Sequence, residues 1–105
     1  MTDLDLGTLM QKAQELKAQM EYIQKGLAER TVEGSAGAGM VKVTATGTGR
    51  IQKIEIDPQV LSEDREMIED LVTAAVNQAL DKSRALAQET VGSMLPPGFP
   101  MPGGG

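Results

Sequence analysis

The block from Gly34 to Pro58, GSAGAGMVKVTATGTGRIQKIEIDP, constrains the fold more than any other part of this chain. It sets two alternating runs between clusters of glycine, and a long helical pattern stands on either side of it. In the first run Val41, Val43 and Ala45 alternate with Lys42, Thr44 and Thr46, the period-two signature of a half-buried strand. Gly47-Thr48-Gly49 supplies a tight hairpin loop. Arg50 to Asp57 then forms another strand, with Ile54 and Ile56 on one face and Ile51, Lys53 and Glu55 on the other. Upstream, Thr31 and Val32 begin an extended segment that stops at Gly34-Ser35-Ala36-Gly37-Ala38-Gly39, where small residues permit positive φ.

Before this block, apolar residues fall at Leu6, Leu9, Ala13, Leu16, Met20, Ile23 and Leu27, alternating between three- and four-residue spacing. That is an amphipathic helix over Leu6 to Leu27, about 33 Å long at 1.5 Å per residue, and a small sheet is too short to cover it. Gly26 weakens only its last turn. After the block, Asp57-Pro58 ends the last strand, because proline cannot donate to the ladder while Asp57 can cap the turn it opens. Ser62 is the predicted cap of a second long helix, followed by Glu63, Asp64 and Glu66 near the positive end of its dipole. The apolar set from Ile68 to Ala87 forms a broad stripe rich in small alanines. Gly92 is the predicted terminator, which leaves residues 1–92 as one domain and 93–105 as a disordered Pro/Gly-rich tail.

A chain of 105 residues supports one domain but not a large core, so self-association is expected of a monomer with three strands and two helices. One Phe and one Tyr leave no set of aromatic platforms for stacking single-stranded bases. Cysteine and histidine are both absent, which removes disulfides, thiolate and imidazole metal sites, and the Ser-His-Asp and Cys-His nucleophile arrangements. The expectation is a protein without catalysis, cofactor or metal. MTDLDLGTL lacks the basic and apolar regions of a signal peptide, and no run approaches membrane-spanning length, so a soluble cytoplasmic protein is expected.

Neither glycine cluster is a phosphate-binding loop, since no Gly-Lys-Ser/Thr follows and both lie between strands rather than at a strand-to-helix junction. Glu63, Asp64, Glu66, Glu69 and Asp70 fit a solvated helix start better than a calcium loop, which needs alternating oxygen ligands around a glycine. The seam of the first helix also fails as a parallel coiled coil. With Leu6 at position a, Lys12 falls at g and Lys17 at the following e, and those like charges would face each other across the dimer. The seam is expected to pack on the second helix, the sheet or a partner subunit instead.

Net charge is −5, which argues against nucleic acid until its distribution is considered. Residues 58–92 hold Arg65, Lys82 and Arg84 against Glu63, Asp64, Glu66, Glu69, Asp70, Asp81 and Glu89, while the remainder is nearly balanced. If the two helices run antiparallel away from the sheet, the start of one and the end of the other meet at a far tip. That tip would carry Lys12, Lys17, Lys82 and Arg84, with Lys25 and Arg30 as secondary cations.

Gly34, Gly37, Gly39, Val41 and Val43, then Ile54 through Pro58, then Glu69-Asp70-Leu71 with Ala74, Ala75, Asn77 and Ala79, together resemble the YbaB/EbfC family of bacterial nucleoid-associated proteins. The earlier Leu9-Met10-Gln11-Lys12-Ala13-Gln14 and the Pro/Gly-rich end extend the resemblance over nearly the whole chain. It implies an α+β fold of order α-β-β-β-α, with a three-stranded antiparallel sheet and two long helices, in a tweezer-like homodimer. It also implies a partner, double-stranded DNA, whose conformation the protein alters, and roles in nucleoid organisation and gene regulation. No membrane or small-molecule substrate is implied, and no catalytic residue comes with it. The expected contacts are phosphate contacts from Lys12, Lys17, Lys82, Arg84, Lys25 and Arg30. The alternative is a homodimeric protein-interaction module with weak or incidental DNA affinity.

Overall fold

A computed structural model describes residues 5–93. The first helix, α1, spans Leu6–Glu29 and leads into β1 (Thr31–Ala36), β2 (Val41–Thr46) and β3 (Ile51–Ile56). A short 3₁₀ turn over Pro58–Ser62 precedes the second helix, α2 (Arg65–Ser93). The strands form one antiparallel sheet in the order β1-β2-β3, as the resemblance implies. The molecule is elongated, with extents of 72 × 26 × 18 Å.

Local chemistry explains the element ends. Asp5 caps α1, its carboxylate accepting from the Thr8 N–H at 2.8 Å. Asp57 does the same for the 3₁₀ turn, accepting from Gln59 N–H at 2.8 Å, with Pro58 supplying its fixed φ. The cap of α2 is Asp64 rather than Ser62: its carboxylate accepts from Met67 N–H at 2.9 Å. Pro58 starts a separate turn that consumes Ser62, whose hydroxyl donates to the Gln59 carbonyl at 2.7 Å, and the chain needs two more residues before α2 begins. Gly92 does not end α2, which continues to Ser93; the remainder of the predicted tail, 94–105, lies outside the described residues.

The core lies between α2 and one face of the sheet. Val41, Val43 and Ala45 of β2 are fully buried against Ala75 and Ala79 of α2, with Val60 closing one end. Full burial of a valine side chain contributes about 1.5–3 kcal/mol, so these few residues supply much of the stability of a small sheet. Small residues on both sides bring the backbones together. Gly34 lies inside β1 rather than ending it, because a Cβ there would collide with the backbone of Ala75 and Ala79. The turn falls later, where Gly37, Ala38 and Gly39 all have positive φ.

The third strand departs from simple alternation. Lys53 pairs with Thr44 but Ile51 with Ala45, so Gln52 is an extra residue in a bulge. Directly opposed residues share a face, which puts Ile51 with Ile54 and Ile56 on the α2 side rather than opposite them. Ile51 packs on the core there. The helix, however, covers β1 and β2 and leaves Ile54 and Ile56 exposed at 44% and 37%.

The two sheet edges are treated differently. Along β1, Gln78 of α2 accepts from Ser35 N–H at 2.7 Å, and the Lys82 ammonium donates to the Glu33 carbonyl at 2.9 Å. These bonds occupy backbone groups that would otherwise invite another strand. No such guard covers β3 among the described residues.

Candidate nucleic-acid interface

The cations expected to serve DNA sit on α1 and on the middle of α2. As α2 crosses the sheet, Leu71 lies over Gly37, Ala75 and Ala79 over Gly34, and Ser83 against Thr46. Past the sheet, Leu86 packs against Ile23 and Leu27 of α1 in a small second cluster. Only these two residues of the α1 seam are buried. Leu6, Leu9, Leu16 and Met20 are exposed, Leu6 at 72% and Leu16 at 62%.

This geometry corrects the expected tip. Lys82 is bound to the β1 carbonyl of Glu33, and Arg84 lies beside the β2–β3 turn, so both stand at the root of the helices. The residues between Lys12 and Ile23 correspond to a rise of about 16 Å. Past Leu86, α2 runs seven more described residues, about 10 Å, so Lys17, about 9 Å from Ile23, stands level with its last described turn and Lys12 lies beyond the described part of α2. At about 100° per residue, Lys12 and Lys17 flank the exposed seam on opposite sides, while Lys25 points away from it. The helix therefore sets one lysine on each side of its apolar stripe, on a surface that also carries Glu15, Glu21 and Glu29.

Lys12, Lys17, Lys25 and Arg30 are exposed and make no ion pair among the described residues. Arg84 pairs with Asp81 at 3.4 Å, but both are more than 70% exposed, and a pair in water holds its partners weakly. Glu66, Glu69 and Asp70 cluster at the other end of α2, while Asp81 and Glu89 lie on the same part of the helix as Lys82 and Arg84. Glu66 lies 18 residues from Arg84, a rise of about 27 Å, several Debye lengths at a physiological ionic strength where one is about 8 Å. The acidic start of α2 thus lies too far away to screen the α1 cations, and the acidic residues near them are Glu15, Glu21 and Glu29 of α1 itself.

Sequence reasoning missed the setting of the β2–β3 turn. The Gly47 N–H donates to the carbonyls of both Leu27 and Arg30, at 2.9 and 3.0 Å, and the Arg50 carbonyl accepts from Thr46 N–H at 2.8 Å. Arg30 and Arg50, far apart in sequence, are thereby held at one turn. The signal available was Gly47 itself, where a Cβ would stand 2.8 Å from the Leu27 carbonyl oxygen. Among the described residues there is no group of three or more acidic, His or Cys side chains placed to hold a metal, and no helix is long and apolar enough to cross a membrane.

A helix laid on a three-stranded antiparallel sheet, with a second helix projecting and bearing unpaired cations, defines a small α+β binding protein built around a long arm. The chain belongs to the YbaB/EbfC DNA-binding family, whose model matches residues 1–99. Its fold is similar to the crystal structure of uncharacterized protein HP0035 from Helicobacter pylori, with a TM-score of 0.79 and 21% identity over 90% of this chain and 100% of that one.

Proposed function

We propose that the protein binds double-stranded DNA as a homodimer, through the phosphate backbone, and alters its conformation in the nucleoid, with consequences for nucleoid organisation and gene regulation. The observation that carries this reading is the exposure of Lys12, Lys17 and Lys25 on α1 and of Arg30 at its end, none ion-paired among the described residues, so that each is free to meet a phosphate although Glu15, Glu21 and Glu29 balance the net charge of the helix. Lys82 and Arg84 add positive charge at the root. Phosphate contacts of this kind fix position and strength without reading bases. Membership of a DNA-binding family supports the same partner.

The homodimer is supported by β3. Its free edge and the exposed Ile54 and Ile56 beside α2 form the part of the sheet that a small core leaves unfinished. A second copy seated there would complete the burial and set two α1 arms on one body, the tweezer arrangement able to hold a duplex.

The exposed seam of α1 favours a second reading, a dimeric module that holds another protein along Leu6, Leu9, Leu16 and Met20. A mobility shift with mixed-sequence duplex at low salt separates the two. Under the DNA reading wild type shifts the duplex and Lys12→Glu/Lys17→Glu does not; equal affinity of the two proteins would contradict these contacts. Absence of any shift by wild type would leave the protein-partner reading.

A further inference from the structure

We propose that the groove beside the β2–β3 turn is a second backbone site for duplex DNA, taking one sugar-phosphate unit between Arg84, Arg50 and the Thr48 hydroxyl. This rests on the duplex-binding reading above and extends it from the tip of α1 to its root.

The groove has a volume of about 310 Å³ and opens between α1, the turn and α2. Leu27, Leu80 and Ala87 form an apolar floor, while Gln24, Thr48 and Arg84 stand at its margin. An apolar floor under a polar rim suits a deoxyribose carrying its phosphate better than a free inorganic anion, which has no apolar surface to bury. The turn is held firmly in place. Gly47 is tied to the end of α1 through the Leu27 and Arg30 carbonyls, and Ser83 donates to the Thr46 carbonyl at 2.6 Å. Thr46 and Thr48 share a hydroxyl bond of 2.8 Å that fixes the Thr48 oxygen at the mouth.

Charge decides the occupant. Arg30 and Arg50 are carried on backbone bonded to this turn, both exposed and without an ion pair among the described residues. Arg84 can leave its solvent-exposed Asp81 pair at little cost and present a planar fork to a phosphate. Arg84 lines the groove and Arg30 and Arg50 flank its turn, against Asp81 and the Glu29 next to Arg30, which leaves one positive charge in excess. A protein partner would be recognised by the same floor only if it brought acidic side chains to the rim, whereas every nucleotide of a duplex brings a phosphate.

The test compares wild type with Arg50→Gln/Arg84→Gln by fluorescence anisotropy on a mixed-sequence duplex across a salt series. Each lost phosphate contact lowers the magnitude of the slope of log K against log salt by about 0.9, so the double variant should lose roughly 2 for each protomer engaged. Arg50→Lys/Arg84→Lys should keep most of that slope, and urea unfolding should show both variants folded. If wild type binds, Lys12→Glu/Lys17→Glu weakens it, and Arg50→Gln/Arg84→Gln matches wild type in affinity and slope, the groove site is wrong while the duplex reading stands. Loss of self-association with DNA affinity unchanged would assign the groove to a protein and also overturn the site. Absence of wild-type binding at low salt would overturn both.

Discussion

The hydroxyl of Ser83 donates a 2.6 Å hydrogen bond to the carbonyl of Thr46, joining the middle of α2 to the end of β2 at a point where both residues are almost wholly buried. Three parts of the molecule meet there. The turn that follows Thr46 is bonded to the end of α1, so this contact fixes the angle at which the arm leaves the sheet.

Replacing Ser83 by alanine removes one of two donors to the Thr46 carbonyl, which keeps the Gly49 N–H at 3.0 Å. The expected loss is that of one hydrogen bond, about 0.5–1.5 kcal/mol, read as a lower urea midpoint with unchanged m. An unchanged midpoint would mean that the Gly49 N–H alone holds the carbonyl and that the Ser83 bond does not tie α2 to the turn.

Two glycines should respond to alanine with opposite signs. At Gly34 the added methyl meets helix backbone, which cannot rotate aside, and a loss of about 1–3 kcal/mol or more is expected. Gly26 lies in α1 with nothing within 4 Å of the new Cβ, so Gly26→Ala should gain about 0.4–1 kcal/mol. Equilibrium unfolding of the two variants side by side checks the pair, and a stabilised Gly34→Ala would contradict the packing described.

The α1 seam should divide sharply along its length. Leu27→Ala opens a cavity in the cluster with Ile23 and Leu86 and is expected to cost about 2–5 kcal/mol. Leu16→Ala, at an exposed position, should change stability by less than about 0.5 kcal/mol. A large cost at Leu16 in thermal or urea unfolding would show that something covers the seam in solution.

Much of this architecture was legible in the sequence, because the helical and strand periods are clean and the glycines mark the turns. The failures have local causes. A single extra residue, Gln52, moved Ile51 to the other face, and alternation carries no warning of a bulge. Gly34 read as a stop because a glycine requirement for close approach looks the same in sequence as one for positive φ. The helical tip failed for a tertiary reason: the position of Lys82 depends on where α2 crosses β1, set by Gly34, Ala75 and Ala79, and its ammonium is used on the Glu33 carbonyl. The cations of α1 needed only the helix and were placed where its period put them.

Dimerisation should depend on β3. Ile54→Asp/Ile56→Asp puts charge on the exposed apolar strand face, beside the buried Val43 and Val41, and is expected to convert a dimer to a monomer in sedimentation equilibrium while urea unfolding still shows a folded chain. A variant that remains dimeric would move the interface elsewhere, with the α1 seam as the next surface to examine.

The most direct test of the central claim is the salt dependence of duplex binding by the wild-type protein. Four to eight phosphate contacts give a slope of log K against log salt of roughly −4 to −7. A slope in that range, reduced by Lys12→Glu/Lys17→Glu, is the expected result. No duplex binding at low salt, or binding that salt leaves unchanged, would contradict a backbone-binding protein.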